Sequence, residues 1–114
     1  MMLKCSNFLN KTGNYYQICQ RIKTGSWFVG HVANEGSYIT KDDQWASFND
    51  VVDVEEKSRW IKNSGLGGAS VFGLHEEDSE DVCGCGRQPL VKTVNRIFER
   101  LVLSDSEIKN CSLI

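Results

Sequence analysis

The acidic run HEEDSED, at residues 75–81, is the densest group of side chains that could move a proton or hold a cation. Clustered carboxylate oxygens are the ligands that Ca²⁺ prefers, but the characterised calcium loops also need a glycine turn at a fixed position. The run contains no glycine. We therefore expect 75–81 to be a solvated loop, with a calcium site as the alternative.

Two cysteines follow the acidic run in the pattern CGCG, at residues 83–86. With His75 or His31 as further ligands, their thiolates could bind zinc and make the chain a Cys/His metal-binding domain. However, the paired cysteines of zinc sites usually have two or more residues between them, and a redox pair needs a two-residue spacer. The Cys/His domain is therefore an alternative hypothesis, and we expect no metal and no cofactor.

Large aromatic side chains are the remaining candidates for ligand recognition, since their faces stack on other apolar surfaces. We expect the three tryptophans, Trp27, Trp45 and Trp60, to pack inside the protein. If tryptophan and phenylalanine side chains are instead exposed, the chain could be a small independent carbohydrate-binding or interaction module. That hypothesis stays open beside the one developed below.

Composition excludes several classes of partner. The 114 residues carry a net charge of −2 with an isoelectric point near 5.6, and no Lys/Arg cluster offers the positive surface that nucleic acid requires. No apolar run approaches the ~20 residues of a membrane span. The first residues lack the apolar core of a signal peptide. At this length the chain is one domain or a piece of a larger one.

Cysteine usage points towards an oxidising compartment, although the odd number of cysteines, five, leaves at least one outside an internal disulfide. Two glycosylation sequons, at Asn10 and Asn110, favour secretion as well. In contrast, the last four residues, CSLI, match a prenylation box, which would contradict secretion. The partners of three cysteines stay open: Cys5, Cys85 and Cys111.

The elements that would position these residues begin after a polar segment, 1–13, which we expect to be disordered. A short apolar patch at 15–19 fits either a helix or a strand. Three segments, 26–32, 37–40 and 44–48, are rich in β-branched and aromatic side chains. We predict strands there, the last two forming a hairpin.

A helix is predicted next. Asp53 and Glu56 have the spacing of a capping box, which places an acceptor over the free N–H groups at a helix start. An apolar stripe of Val54, the stem of Lys57 and Ile61 continues the pattern over 53–63, and the sequence leaves open whether Trp60 belongs to it. Gly65 suits the left-handed position that ends such a helix.

The apolar run at 68–74 has no polar alternation and is flanked by glycines, as is typical of a strand buried on both faces. Pro89 suits the first turn of another helix, whose apolar face extends over 89–102. A helix, a buried strand, an acidic loop and a helix, in this order, are typical of a βα barrel.

The order of these motifs resembles the C-terminal end of glycoside hydrolase family 18, the chitinases and chitinase-like lectins. The resemblance covers residues 14 to about 100, and begins with Tyr-Tyr-Gln-Ile-Cys at 15–19, which is similar to the family's Tyr-Tyr-Glu-Ile-Cys. The other matching positions are Gln44-Trp45, Phe48, Asp50, Lys57, the run Gly-Leu-Gly-Gly-Ala at 65–69, Asp78, Cys83-Gly84, Gly86 and Pro89-Leu90.

The resemblance implies an α/β fold, the C-terminal fragment of a (β/α)8 TIM barrel preceded by part of the family's α+β insertion domain. Residues 14–50 would be the later part of the insertion. Residues 51–103 would be the last helix, strand and helix of the barrel, and 104–114 a tail. The resemblance also implies a disulfide between Cys19 and Cys83, which would tie the acidic loop to the insertion.

The resemblance further implies a secreted protein that hydrolyses or binds chitin, the β-1,4-linked polymer of N-acetylglucosamine. Family members usually place a tryptophan, on which the central sugar stacks, at the strand end that Phe72 occupies here. Hydrolysis in the family uses a glutamic acid in an Asp-x-x-Asp-x-Asp-x-Glu motif, together with the substrate's own acetamido group. That motif does not occur in this sequence, and we predict that the chain alone is inactive.

Overall fold

The computed structural model describes residues 14–98, which form three helices, a short 3-10 turn and one antiparallel sheet. Several predicted features lie outside this part of the chain: the segment 1–13, the tail 104–114, the end of the helix at 89–102, the sequons at Asn10 and Asn110, the residues Cys5 and Cys111, and the CSLI box. The elements are α1 (Tyr15–Thr24), β1 (Phe28–Val32), β2 (Gly36–Lys41), β3 (Gln44–Phe48), α2 (Val51–Asn63), the 3-10 turn (Leu74–Glu76) and α3 (Pro89–Ile97).

The apolar patch at 15–19, for which the sequence fitted either a helix or a strand, is helical and forms the start of α1. The backbone N–H of Asn14 donates to Gln17 Oε1 at 2.7 Å, so that the side chain of the third helical residue closes the start of the helix. Tyr15, Ile18 and Cys19 are buried and lie three and four residues apart. This spacing puts them on one helix face, which packs into the core.

The three predicted strands are confirmed and form a meander in the order β1-β2-β3. The register pairs Val29 with Ile39, and Ile39 with Ala46, and the side chains of the last two are fully buried. Because side chains alternate along a strand, the residues on either side of this row must face away from the core. The sheet therefore has one packed face and one solvent-facing face.

Helix α2 begins at Val51, two residues before the predicted start, and its N-cap lies three residues before the predicted one. Asp50, and not Asp53, is the N-cap: Asp50 Oδ1 accepts the Asp53 N–H at 2.9 Å, and Asp53 Oδ2 accepts the Asp50 N–H at 2.9 Å. The sequence offers the same three-residue spacing twice, at Asp50 and at Asp53, and we had assigned the cap to the second. Trp60 does not belong to the packed stripe, since its side chain is 64% exposed.

The strand predicted over 68–74 is wrong for the described part of the chain. Gly65 does adopt the left-handed conformation after α2, with φ +70°, as predicted. The chain then runs to the 3-10 turn with an isolated β-bridge at Phe72 as its only regular pairing within 64–73, and this segment is not part of the three-stranded sheet. A strand needs hydrogen-bonded neighbours, which the three-stranded sheet does not supply here.

The core lies between α1, the inner face of the sheet, α2 and α3. Helices α2 and α3 pack directly on each other, and the Nζ of Lys62 also donates to the carbonyl of Ile97 at 3.3 Å. The buried apolar residues that make up the core are Tyr15, Ile18, Cys19, Ile39, Ala46, Phe48, Val54, Cys83, Cys85, Leu90 and Val94. Among the helices at 14–98, none combines the length and apolarity that a membrane crossing needs.

Candidate functional site

The acidic run at 75–81 is not the solvated loop that we expected, because Glu77 and Asp78 are buried. Glu77 Oε1 accepts the backbone N–H of Leu90 at 3.1 Å, at the start of α3, where free N–H groups favour an anion. Burial raises the pKa of Glu77, and the N–H groups that its carboxylate accepts oppose the shift. Part of the run therefore holds the fold together and does not face a ligand.

Asp78 positions the cysteine that follows it. Its two carboxylate oxygens accept the backbone N–H groups of Val82 and Cys83, at 2.9 and 2.8 Å. Cys83 forms the implied disulfide with Cys19, with 5.2 Å between the two Cα atoms, and this prediction is confirmed. Since Cys83 is oxidised, it cannot serve as a thiolate ligand with Cys85, and the proposed Cys/His zinc pair is wrong at that position.

Phe72, the position implied to bind substrate, is accessible. Its side chain is 70% exposed, between the half-buried Val71 and the left-handed Gly73 at φ +82°. Leu74, two residues after Phe72, is also exposed. An exposed phenyl face at the end of an extended segment can stack on a sugar ring, but with less area than a tryptophan provides.

A second aromatic surface covers the solvent-facing side of the sheet. The register places Phe28, Thr40 and Trp45 in one row across β1, β2 and β3. The ring of Tyr38 lies beside that of Phe28, with 6.2 Å between the ring centroids, and its far edge crosses Gly30, where a Cβ atom would lie 2.3 Å from Tyr38 Cζ. We call Phe28, Tyr38 and Trp45 the aromatic row.

The expectation that all three tryptophans pack inside is wrong for two of them. Trp45 is 58% exposed, and Trp60 projects from α2 into solvent. Trp27 is partly buried, with the guanidinium of Arg21 5.9 Å from its ring centroid. For Trp45 the sequence held a signal that we did not use: in β3 the core residues Ala46 and Phe48 alternate with it, which puts Trp45 on the opposite face.

A polar cluster joins β1 and β2 to the start of α2. The Nδ1 of His31 lies 2.9 Å from Asp53 Oδ1, and the Nε2 of the same ring lies 3.4 Å from Glu56 Oε1. Burial raises the pKa of Asp50, the N-cap beside this cluster, to about 6, and the hydrogen bond from the Asp53 N–H opposes the shift. Sequence reasoning missed this cluster because only the fold brings β1 next to α2.

A groove with a volume of about 220 Å³ opens beside the cluster. Its lining residues are Asn34, Glu56, Lys57 and Trp60. The Nζ of Lys57 donates to Asn49 Oδ1, which fixes its ammonium group against the end of β3. The groove is therefore lined by one carboxylate of the cluster, a tethered cation and the exposed Trp60.

The known proteins compared below match this chain over only part of their own length. No family model matches the sequence. The Drosophila melanogaster protein "Probable chitinase 10" is 36% identical over 101 residues, which cover 85% of this chain and 4% of that protein. The human "Chitinase-3-like protein 2" is 35% identical over 83 residues, or 72% of this chain and 21% of its own length.

The solved structures that match this chain are also chitinases and chitinase-like proteins. Catalytic domain 2 of the Group II chitinase of Ostrinia furnacalis, crystallised with a chitin oligosaccharide, matches with a TM-score of 0.79 and 31% identity, over 90% of this chain. The chain belongs to glycoside hydrolase family 18. Human YKL-39, described as a pseudo-chitinase with retained chitooligosaccharide binding, matches with a TM-score of 0.71 and 31% identity. This family 18 chain spans 26% and 24% of those two structures.

Proposed function

We propose that this chain supplies one part of a chitooligosaccharide-binding groove in a family 18 fold, as the C-terminal piece of a TIM barrel with part of its insertion domain. The likeness to a chitinase domain solved with a chitin oligosaccharide and to a chitooligosaccharide-binding pseudo-chitinase carries the proposal. In it, residues 14–50 belong to the insertion and 51–103 to the barrel. In the proposal, the segment 68–74, of which Phe72 and Leu74 are exposed, pairs with neighbouring strands of the barrel.

Phe72 is the residue that we propose contacts the sugar. It is exposed, apolar and held on an extended segment that follows the Gly-rich turn after α2. One aromatic face contributes about 0.5–1.5 kcal/mol to stacking, so loss of its ring corresponds to about a tenfold change in affinity at most.

The test is a chimera in which residues 14–98 replace the matching quarter of the Ostrinia furnacalis domain, titrated calorimetrically with N-acetylchitopentaose. We expect the chimera to bind, Phe72→Trp to bind more tightly, and Phe72→Ala to bind several-fold to about tenfold more weakly. Trp60→Ala, which removes an exposed aromatic side chain from α2, is the matched control and should leave the affinity unchanged. Equal affinities for the chimera and its Phe72→Ala variant would contradict the assignment.

Catalysis is not part of the proposal for the chain alone. The sequence holds no Asp-x-x-Asp-x-Asp-x-Glu motif, and the buried Glu77 and Asp78 accept backbone N–H groups. We expect no product from a fluorogenic chitobiose substrate above the rate without protein. Turnover that survives repurification and is lost in Glu76→Gln would overturn this expectation.

A second candidate function is favoured by the aromatic row. Three aromatic side chains on the open face of a small sheet, two of them exposed, form a surface on which an oligosaccharide could stack without any barrel. The chain alone would then bind N-acetylchitopentaose saturably, and Trp45→Ala would weaken the binding several-fold to about tenfold. Absence of saturable binding by the chain alone, with binding by the chimera, would instead favour the first function.

Secretion is the location that we propose. The Cys19–Cys83 disulfide supports it, since such bonds form and persist in oxidising compartments. Glycosylation at Asn10 or Asn110 in protein taken from its source tissue is the expected observation. A reduced Cys19–Cys83 pair in that material would contradict it.

A further inference from the structure

Asp53 is the fixed point of the cluster between the sheet and α2. Its carboxylate is fully buried, and Oδ2 accepts two hydrogen bonds, from the Ser37 hydroxyl at 2.6 Å and from the Asp50 N–H at 2.9 Å. These two donors fix the carboxylate plane. The second oxygen, Oδ1, then faces His31 Nδ1 at 2.9 Å.

Glu56, one helical turn further along α2, is oriented in the same way. Its Oε2 accepts the backbone N–H of Asn34, in the turn between β1 and β2, at 3.0 Å. Its Oε1 lies 3.4 Å from His31 Nε2. Each carboxylate is thus held through one oxygen by the protein and presents the other oxygen to the imidazole ring, Asp53 to Nδ1 and Glu56 to Nε2. An ion bound at Nδ1 beside the fixed Asp53 would therefore require the half-buried Glu56 side chain to turn towards it.

Asp53 Oδ1 is buried and accepts no well-aligned hydrogen bond from the described residues; its contact is His31 Nδ1 at 2.9 Å. The imidazole balances the charge of this carboxylate only when the ring is protonated, and a buried carboxylate beside a neutral ring lacks a counter-charge, which costs free energy. The Ser37 hydroxyl, which lies 3.2 Å from His31 Nδ1, already gives its proton to Oδ2. A cation beside Oδ1 would remove the cost.

We propose that His31, Asp53 and Glu56 bind a divalent metal ion of the zinc class. One ligand atom from each residue lies within 4.8 Å of the other two. One imidazole nitrogen with two carboxylate oxygens is a ligand set that suits zinc, whereas calcium and magnesium prefer oxygen alone. Two carboxylates also match the charge of a divalent ion. This site is independent of the proposed oligosaccharide groove.

The surroundings meet the other needs of a metal site. The donors to the outer carboxylate oxygens act as the outer shell that orients ligands, and the loss of such a partner typically costs about 10- to 100-fold in metal affinity. The groove beside Glu56 gives an ion a route in from solvent and room for a water as fourth ligand. The metal would link β1 to α2.

The experiment titrates the full chain with Co²⁺, followed by Zn²⁺ in competition. We expect one Co²⁺ per chain, with weak visible bands and no thiolate-to-cobalt charge-transfer band, because no cysteine belongs to the site. His31→Gln and Glu56→Gln should each weaken binding at least about tenfold, and Ser37→Ala by about 10- to 100-fold through Asp53. His75→Gln, which removes the exposed histidine, is the matched control and should bind as the wild type does.

Two results would overturn the proposal. If the wild type binds no Co²⁺ while His31→Gln destabilises the fold, His31 is an imidazolium paired with two carboxylates and needs no metal. If binding persists in His31→Gln and shows the charge-transfer band, the ion is held by cysteine thiolates elsewhere. Asp53→Asn is not a suitable variant, since Asp53 also closes the start of α2.

Discussion

At the scale of the residue, the acidic run shows what sequence reasoning could not reach. Glu77 caps the N-terminus of α3 from 13 residues away, and Asp78 holds the backbone of Cys83. A cap immediately before its helix leaves a local spacing in the sequence, which predicted the capped start of α2, although we assigned the cap to Asp53 and not to Asp50. A carboxylate that reaches a helix from another loop leaves no such pattern, and for that reason the run was interpreted as solvated.

Glu77→Gln should change how stability depends on pH. Burial raises the pKa of Glu77 above its ordinary 4.5, so the folded chain binds the proton more tightly than the unfolded chain. Its contribution therefore favours the fold below pH 4.5 and is lost as the pH rises through the folded-state pKa. Urea unfolding at several pH values should show a wild-type stability that falls over this window, by at most about 1.4 kcal/mol per pH unit.

Glutamine at position 77 keeps one oxygen for the Leu90 N–H but does not titrate, so this part of the slope should disappear. Glu80→Gln, in the exposed part of the same loop, is the matched control and should keep the wild-type slope. Parallel curves for wild type and Glu77→Gln would mean that Glu77 has no role in the pH dependence.

At the scale of the element, the segments with a local repeat were predictable. The strands β1 to β3 and the start of α3 at Pro89 follow from residue type and spacing. The strand predicted at 68–74 was wrong, because an apolar run becomes a strand only when neighbouring strands pair with it. Whether such neighbours are present depends on other segments of the fold. The cluster around His31 was not predicted for the same reason, because β1 and α2 are neighbours only in the folded structure.

Gly30→Ala tests the packing of the aromatic row. A Cβ atom at Gly30 would lie 2.3 to 2.5 Å from the outer atoms of the Tyr38 ring, which must therefore swing away and leave Phe28. We expect a loss of about 1 kcal/mol in the free energy of unfolding and a shift of the Tyr38 ring signals in NMR spectra. Gly67→Ala, where a Cβ atom meets nothing within 4 Å, is the control. A Gly30→Ala variant as stable as this control would show that the ring contact contributes nothing.

Amide exchange tests the state of 68–74 in the isolated chain. These residues lack ladder partners in the described part of the protein, so their N–H groups should exchange early. The N–H groups of β2, which has a hydrogen-bonded neighbour on each side, should exchange late and provide the internal reference. Protection at 68–74 equal to that of β2, in a cooperatively unfolding monomer, would mean that the chain has a complete fold of its own.

At the scale of the whole molecule, the family and the disulfide could be predicted from the order of motifs, whereas the packing around them could not. Cys19–Cys83 connects α1 to the loop before α3 across 64 residues, so it ties the first described helix to the segment that leads into the last. The chain-entropy account assigns a closure of this length about 4 kcal/mol. Much of the stability of a small domain, about 5 to 15 kcal/mol, would then rest on one bond.

The double variant Cys19→Ala/Cys83→Ala should therefore unfold at a much lower urea concentration than the wild type, with a loss of about 2–5 kcal/mol. Both cysteines are replaced so that neither member of the pair is left as a thiol that could exchange. Cys85→Ala, which leaves the disulfide intact, is the control for loss of a buried sulfur and should cost less. Coincident urea midpoints for the double variant and the wild type would rule out a stabilising role for the disulfide.

The disulfide also decides what a protease would leave behind. The glycine-rich turn after α2 is open: Leu66 is exposed, and a Cβ atom at Gly65, Gly67 or Gly68 would meet no atom of the described residues within 4 Å. Such tips are preferred sites of cleavage. A single cut there would separate the polypeptide into two fragments, but Cys19 and Cys83 lie on opposite sides of it and would keep them joined. The nicked protein would run as one species until a reductant is added, and could persist as a two-chain molecule.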